Sequence, residues 1–192
     1  DDTVSICREY TSRIYETDWP GFGQQKQRAL MKATHDWVLS LDADEVVSED
    51  LKHEIITAIS TDTVQGYEIP RLSRYCGREI KHGGWWPDYV LRLFRRQYGH
   101  FSDSVIHERV LVQGKVSKLT NYLRHNAYNN LEEVLAKVNH YSTLGAEMLY
   151  QQGKGASVWL AVLKGIWTFF RVYVIRAAFL DGAQAVSYTH LR

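Results

Sequence analysis

Nine residues, Trp37-Val-Leu-Ser-Leu-Asp-Ala-Asp-Glu45, constrain the fold of this chain more than any other stretch. The short apolar run at 37–41 is typical of a buried strand in a parallel sheet, and carboxylates that follow such a strand lie in the crevice where open α/β sheets bind ligands. Asp42 and Asp44 point the same way on an extended chain, so they can share a hard divalent cation. The alternative is a strand followed by an acidic helix start, with Asp44 as its cap.

The bulk properties narrow the class of protein. A chain of 192 residues is long enough for one domain with a sizeable core. The net charge of +1 excludes the strong positive field of a nucleic-acid binder. Cys7 and Cys76 form neither a metal pattern nor a disulfide framework, which favours a reducing compartment.

Hydrophobic periodicity predicts an α/β fold, because strand and helix patterns alternate along the first part of the chain. Helical patterns cover residues 3–10, 24–33, 48–59 and 131–151, and strand patterns cover residues 13–17, 37–41, 66–74, 89–96, 110–112 and 119–126. Ser48 before acidic residues indicates a helix cap, and Gly114 indicates a turn.

Two further stretches carry groups that could bind or react. In His82-Gly-Gly-Trp-Trp-Pro-Asp88, the glycines permit close backbone approach, and Trp85 and Trp86 offer flat faces for a sugar or a base. The alternative for this stretch is a packed aromatic loop. The His107-Glu108 pair can ligate or accept a proton, and its alternative is a solvated strand edge.

Residues 157–180 are the most apolar part of the chain. Lys164, Arg171 and Arg176 interrupt them, and three charges argue against a bilayer span. We therefore predict an amphipathic helix in the membrane interface, the alternative being a helix packed on the domain. Residues 183–192 break the sequence pattern that precedes them, and we predict that they are a non-native tail, such as a tag, a fusion scar or a translated adaptor.

Taken in order, several motifs resemble those of family 2 glycosyltransferases with a GT-A fold, and within them the lipopolysaccharide core β-1,4-glucosyltransferase subgroup. The motifs are Gly21-Phe-Gly-Gln-Gln-Lys-Gln-Arg-Ala-Leu30, the 37–45 stretch, Ile69-Pro-Arg-Leu-Ser73, His82-Gly-Gly-Trp-Trp-Pro-Asp-Tyr89, Leu91-Arg-Leu-Phe-Arg-Arg96, Val105-Ile-His-Glu-Arg-Val110 and Phe179-Leu-Asp-Gly182.

The resemblance implies a GT-A, Rossmann-like mixed sheet flanked by helices, with C-terminal amphipathic helices. The expected division is a partial GT-A domain at 1–130, a membrane-associating helical region at 131–182 and the tail at 183–192. Such a family would place a first strand ahead of residue 1, so we expect an N-terminally truncated domain.

The resemblance implies a metal-dependent enzyme that transfers a sugar with inversion at the anomeric carbon. The expected donor is UDP-glucose, which supplies glucose. The expected acceptor is a lipopolysaccharide core or a similar anionic glycolipid. Alternatives are a family 2 enzyme acting on a polyprenyl phosphate, capsule or protein acceptor, and an inactive nucleotide-sugar-binding fragment. The expected location is the cytoplasm, peripheral on the inner face of the cell membrane.

The resemblance also assigns roles on the donor side. Asp44 is the expected ligand of Mg²⁺ or Mn²⁺, helped by Asp42, which also leans toward the nucleotide sugar. His107 is a further candidate metal ligand. Lys26 and Arg28 occupy positions that face the nucleotide.

Roles on the acceptor side follow in the same way. The general base is either Asp88 or Glu108. Glu108 is favoured because it lies where other members of the family carry a Glu-Asp base motif, but the sequence leaves both open. Trp85 and Trp86 are expected to stack on acceptor sugars, and Arg92 and Arg95 to pair with acceptor phosphates or acidic sugars.

Overall fold

The computed structural model describes residues 2–61, 63–102, 108–155 and 157–190. The helices are α1 (Thr3–Tyr10), α2 (Phe22–Lys32), α3 (Glu49–Ser60), α4 (Leu131–Gln151), α5 (Val158–Phe169) and α6 (Ala183–His190). A π-helical turn (Phe170–Ile175) continues α5, and a 3₁₀ turn (Ala178–Asp181) precedes α6. The strands are β1 (Trp37–Leu39), β2 (Glu45–Val47), β3 (Gly66–Tyr75), β4 (Arg78–Glu79), β5 (Asp88–Arg95), β6 (Gly99–Phe101), β7 (Val110–Val112), β8 (Val116–Lys118) and β9 (Leu123–Tyr128).

The strands of the described residues form a seven-stranded mixed sheet with β3 at its centre. The order is β1-β5-β3-β9-β2, and β4 and β8 also pair with β3. Strand β3 runs antiparallel to β5 and parallel to both β8 and β9. A separate pair, β6 and β7, is antiparallel. This mixed sheet, flanked by helices, confirms the predicted fold class.

The strand before the acidic residues differs from its prediction. Strand β1 is only three residues long, is half-buried and pairs antiparallel with β5, rather than lying buried in a parallel sheet. The chain turns soon after Leu39, because the amide of Glu45 donates to the carbonyl of Asp42 and the amide of Asp42 donates to the Glu45 side chain. Residues 13–17, predicted as a strand, have no ladder partner among the described residues.

One hydrophobic cluster joins α3 to the sheet and holds β3 and β5 in place. Ser48 caps α3 as predicted, since its Oγ accepts from the amide of Leu51 at 3.2 Å. Leu51 is fully buried against Ile69, Leu93 and Leu123, and burying a leucine contributes about 1.5–3 kcal/mol. This packing therefore fixes β3 and β5, the strands that carry Arg71, Asp88 and Arg92.

A second cluster packs the C-terminal region against the far end of β3. Tyr75, Ile80, Val134, Val172 and Ala178 are buried in it. Helix α6 also contributes to the cluster, while the prediction that residues 183–192 are non-native rests on their composition and stays a prediction.

The segment Val158–Ile175 is different, because little of it is buried. With a mean hydropathy of 1.6 over 18 residues, it is long and apolar enough to cross a membrane by length and composition alone.

Candidate functional site

A cleft with a volume of about 610 Å³ opens beside the turn after β1. It brings together five residues that the sequence singled out, namely Lys26, Asp42, Asp88, Arg92 and Glu108. Arg71, which the sequence did not single out, lies on the same wall. Two of the three predicted donor-binding residues, both candidate bases and Arg92, which was predicted to bind the acceptor, therefore line one cleft.

The fold explains how residues so far apart in the chain meet here. Lys26 comes from α2, Asp42 from the turn after β1, and Arg92 from β5. Arg71 and Asp88 are direct cross-strand neighbours in the antiparallel pairing of β3 with β5. Because neighbouring side chains on one face of such a pair lie close together, this register places the Arg71 guanidinium on the Asp88 carboxylate.

Lys26 joins two carboxylates at the mouth of the cleft. Its Nζ lies 2.8 Å from Asp42 Oδ1 and 2.8 Å from Glu108 Oε1. All three side chains are partly buried, so these contacts are less screened by water than surface ion pairs. Lys26 is thus a fixed positive charge facing the cleft.

Arg92 is more deeply buried in the same cleft than Lys26. One of its terminal nitrogens donates to Asp42 Oδ2, and to Glu45 Oε1 at 2.6 Å. The Glu45 side chain has no exposed surface, and buried charges in proteins are normally paired in this way. Burial lowers the pKa of Arg92, but the Glu45 and Asp42 carboxylates more than compensate and raise it above its ordinary value.

Arg71 extends the network to Asp88. Its Nε and Nη2 donate to Asp88 Oδ2 at 3.0 and 2.7 Å, and its Nη1 lies 3.5 Å from Glu45 Oε1. Alternating charges therefore run from Glu108 to Asp88 across the cleft. Such a network holds each charged side chain in one orientation.

The pKa of Asp42 reflects this setting. Burial raises it, but the hydrogen bond from Lys26 and the charges of Arg92 and Lys26 together bring the pKa below its ordinary value of 3.8. Asp42 is therefore ionised at neutral pH, with both carboxylate oxygens engaged by cationic side chains. Its oxygens accept hydrogen bonds from Lys26 and Arg92, so neither oxygen is free to bind a metal ion in this arrangement.

Asp44 pairs with His125, a residue that the sequence had not singled out. Its Oδ2 lies 3.4 Å from His125 Nε2, while His125 Nδ1 lies 2.9 Å from Ser73 Oγ. His125 belongs to β9 and is the register partner of both Glu45 in β2 and Ser73 in β3. A histidine in the predicted strand at 119–126 was the available signal, but only the sheet register reveals its partner.

Asp44 and His125 lie close enough to reach one divalent cation, whereas both carboxylate oxygens of Asp42 are engaged by Lys26 and Arg92. Burial and the Arg71 charge lower the pKa of His125, so its ring is neutral at pH 7, as a metal ligand must be. A 3.4 Å separation suits two ligands that each stand about 2.1 Å from one ion. No group of three or more His, Cys, Asp or Glu side chains meets in the part of the chain that the structure describes. His107, the predicted additional ligand, lies outside the described residues.

A second cleft, of about 470 Å³, adjoins the first. The two share Arg71 and Asp88, which form the wall between them. The second cleft is further lined by Ser73, Trp85, His125 and Lys137. Trp85 is thus at a cleft, whereas Trp86 lines neither of them and packs edge-on against Tyr122 at 5.8 Å between ring centroids.

Asp44, Arg28 and Arg95 also line neither cleft. Arg28 follows Lys26 by two positions on α2, about 200° around the helix, and pairs instead with the exposed Asp18 at 2.8 Å. Arg95 follows Arg92 by three positions on β5, which places it on the opposite face of the strand. Its guanidinium lies over the Trp37 ring, 4.8 Å from the centroid.

Comparison with known proteins identifies the family. Residues 1–120 match the family described as glycosyl transferase family 2. An uncharacterized glycosyltransferase of Rickettsia prowazekii (strain Madrid E) is 29% identical over 194 residues, covering 95% of this chain and 66% of that protein. A lipopolysaccharide core biosynthesis glycosyltransferase, LpsC, of Rhizobium meliloti (strain 1021) is 28% identical over 188 residues, covering 90% of this chain and 67% of that protein.

The chain therefore spans about two thirds of the length of these curated relatives. Its matched portion contains α1 to β8, and thus most of the mixed sheet and every charged residue of the first cleft. Because the family match covers more than half of the residues, this chain belongs to glycosyl transferase family 2.

Proposed function

We propose that this chain transfers a sugar, with inversion at the anomeric carbon, from a nucleoside diphosphate donor to an anionic glycolipid of the lipopolysaccharide core type. UDP-glucose is the expected donor. One observation carries the proposal: Asp88 and Arg71 form a shared wall between two adjoining clefts. A single-displacement transfer needs this arrangement, because donor and acceptor must meet at one carboxylate base.

The charged cleft is assigned to the donor. Lys26 faces it with an ammonium group that can donate to diphosphate oxygens, and Asp42 supplies carboxylate oxygens for donor hydroxyl groups. A divalent cation, Mg²⁺ or Mn²⁺, would be held by Asp44 with His125, which lines the adjoining cleft together with Arg71 and Asp88 of the shared wall. It would neutralise charge that develops on a leaving diphosphate lying against that wall.

Asp88 is the better of the two candidate bases. It borders both clefts, and 41% of its side chain is exposed. Glu108 lines only the first cleft and is paired with Lys26. Asp88 would accept the proton of the acceptor hydroxyl as that oxygen bonds to the anomeric carbon and the bond to the diphosphate breaks. Arg71 holds the carboxylate in place through two hydrogen bonds.

The second cleft is assigned to the acceptor. Trp85 and Lys137 line it together with Arg71, so it offers an aromatic face beside cationic groups for a phosphorylated or acidic saccharide. The Rhizobium relative is named a lipopolysaccharide core biosynthesis glycosyltransferase, which supports this class of acceptor.

The apolar C-terminal helix is assigned to a lipid surface, on the cytoplasmic face of the cell membrane. Trp159 is 80% exposed, and Leu163 and Ile166 are also exposed. Lys164, Thr168 and Arg171 are four and three positions apart and form a polar stripe on one side. A helix with an apolar face and a basic stripe fits the membrane interface, where its charges meet anionic headgroups.

The test offers labelled UDP-glucose and Mn²⁺ to the chain with two acceptors in separate reactions, a heptose-containing lipopolysaccharide core and a polyprenyl phosphate. We expect labelled product with the core acceptor and its loss in Asp88→Asn. Transfer to polyprenyl phosphate alone would overturn the assigned acceptor. Binding of UDP with Mn²⁺ but no transfer to either acceptor would indicate a nucleotide-sugar-binding module.

A further inference from the structure

We propose that Asp181 is a positioning residue for the acceptor: it fixes the start of the loop at residues 81–87 that carries Trp85 and ends at Asp88. The inference rests on the proposed function, because it assumes that the second cleft receives the acceptor. Asp181 lies in the Phe179-Leu-Asp-Gly182 motif, about 100 residues away in the chain from the loop that it holds.

The carboxylate of Asp181 is buried and accepts several hydrogen bonds. Only 4% of its side chain is exposed. The backbone amides of Lys81 and His82 donate to Oδ1 and Oδ2 at 3.2 and 3.0 Å, and His82 Nδ1 lies 2.9 Å from Oδ1. Tyr188 Oη also donates to it at 3.0 Å, but the three contacts with the loop do not depend on α6.

Further contacts attach this loop and the preceding strand β4 to the segment at 176–182. The amide of Gly83 donates to the carbonyl of Arg176 at 3.0 Å, and Arg78 Nη2 donates to the carbonyl of Leu180 at 3.3 Å. Gly84 has a positive φ of 83°, and a Cβ on it would clash with the guanidinium of Arg176. Backbone and side-chain contacts therefore hold the loop close to this segment, with Asp181 as its buried anchor.

The anchor bears on catalysis because the loop is held at both ends. Asp181 fixes its beginning, and Arg71 fixes its end through Asp88. Trp85 lies between these two points and lines the second cleft. Releasing the first end would leave the acceptor face and the base free to shift, and small displacements of reacting groups are costly in rate.

The same contacts connect the acceptor loop to the apolar helix. The segment at 176–182 directly follows the π-helical turn Phe170–Ile175, in which Phe170, Val174 and Ile175 are exposed. Asp181 thus ties the loop to the part of the chain assigned to the lipid surface. A glycolipid acceptor would then meet a loop held at a constant height above that surface.

The test compares Asp181→Asn with the wild type and with Glu147→Gln, which replaces an exposed acid on α4. Asparagine keeps the shape of the side chain, but only its oxygen can accept a hydrogen bond, so one of the two loop amides would face an NH₂ donor instead of an acceptor. We expect hydrogen exchange at the amides of Lys81 and His82 to rise by about tenfold or more, the size expected for losing hydrogen bonds to a charged group. Exchange in β3 should not change, which shows that the fold is retained.

Kinetics complete the experiment, with labelled UDP-glucose, Mn²⁺ and the lipopolysaccharide core acceptor. We expect KM for the acceptor to rise about tenfold in Asp181→Asn, while the affinity for UDP with Mn²⁺ stays within twofold and Glu147→Gln behaves as the wild type. If Asp181→Asn does not fold, Arg78→Ala tests the neighbouring contact with Leu180, for which we expect a smaller change in the same direction.

Three results would overturn the inference: unchanged exchange at the loop amides, an unchanged KM for the acceptor despite faster exchange, or an equal loss of UDP affinity. A wild-type chain that transfers no sugar would instead contradict the proposed function. The two failures are therefore distinguishable, because the first requires an active wild type.

Discussion

The donor cleft and the C-terminal apolar helix depart from an ordinary protein surface in opposite ways. In the cleft, charged side chains such as Arg92 and Glu45 are buried and matched with one another. Along Val158–Ile175, large apolar side chains such as Trp159 and Leu163 are exposed. Buried charge and exposed apolar surface are both unfavourable unless something compensates them.

The compensation comes from different sources in the two regions. In the cleft it is internal, because each carboxylate meets a guanidinium or ammonium group of the same chain. On the helix nothing in the described residues covers the apolar face, so the compensation we propose is external, a lipid surface. The cleft should therefore be sensitive to single charge changes, and the helix to changes in apolar area.

The largest effect is expected at the shared wall of the two clefts. Asp88→Asn should reduce the rate of sugar transfer by about 10²–10⁴, the range attributed to a general base, while the affinity for UDP with Mn²⁺ is retained. Labelled-donor transfer and calorimetry measure the two quantities. A larger loss of kcat in Glu108→Gln than in Asp88→Asn would assign the base to Glu108.

Removing one positively charged side chain, that of Arg92, from the cleft should destabilise the fold. Arg92→Met leaves Glu45 buried with a weaker partner, and breaking a buried pair costs roughly 3–5 kcal/mol. Urea unfolding should show a lower free energy of unfolding than in Arg95→Met, which changes the opposite face of the same strand. Equal free energies of unfolding in the two variants would mean that the cleft network contributes little.

His125 provides a narrower test of the cation site. Replacing it with alanine should weaken Mn²⁺ binding in the presence of UDP by at least about tenfold, because even residues that only support metal ligands contribute about 10–100-fold. His53→Gln, on the exposed face of α3, should leave this affinity unchanged. Unaltered Mn²⁺ affinity in His125→Ala would limit the site to Asp44.

On the apolar helix, a single polar substitution should weaken binding to anionic vesicles. Leu163→Gln should lower the partition coefficient by about tenfold, since burial of a leucine is worth about 1.5–3 kcal/mol and an interface buries part of it. Thr168→Gln, on the polar stripe, should have little effect. Co-sedimentation measures both, and a wild-type chain that stays in the supernatant argues for a helix packed on protein.

The smallest effect expected is a change in acid sensitivity. The pKa of Asp42 is lowered in the folded chain, so its contribution to the free energy of unfolding is present above its ordinary value of 3.8 and is lost as the pH falls through the lower folded value. Asp42→Asn should flatten the dependence of the free energy of unfolding on pH below about pH 4. An unchanged slope would show that other carboxylates dominate.

Much of the local structure could be predicted because it depends on neighbours in the chain. The predicted helix at 131–151 matches α4, and Ser48 caps α3 as expected. The strand at 110–112 also has the predicted bounds. Periodicity and capping act over a few residues, so the sequence contains the information directly.

The sites were harder to predict because their partners are distant in the chain. Asp42, Lys26 and Asp88 were predicted as site residues, Asp42 from its place after a strand and the other two from the family resemblance, and all three line the first cleft. Arg71, Glu45 and His125 were not recognised, because each acquires its role from a cross-strand neighbour. Arg28 and Arg95 were expected at the cleft, but helix and strand geometry turns both away from it.

The sequence by itself determined the family, the acidic turn after β1 and the apolar helix with its basic stripe. Only the tertiary structure decided which charges meet: Asp42 with two cations, Asp44 with His125, and Asp181 with a loop about 100 residues away. The physical reason is that ion pairs and buried hydrogen bonds depend on distances in space, which sheet register and loop packing set and which local periodicity does not encode.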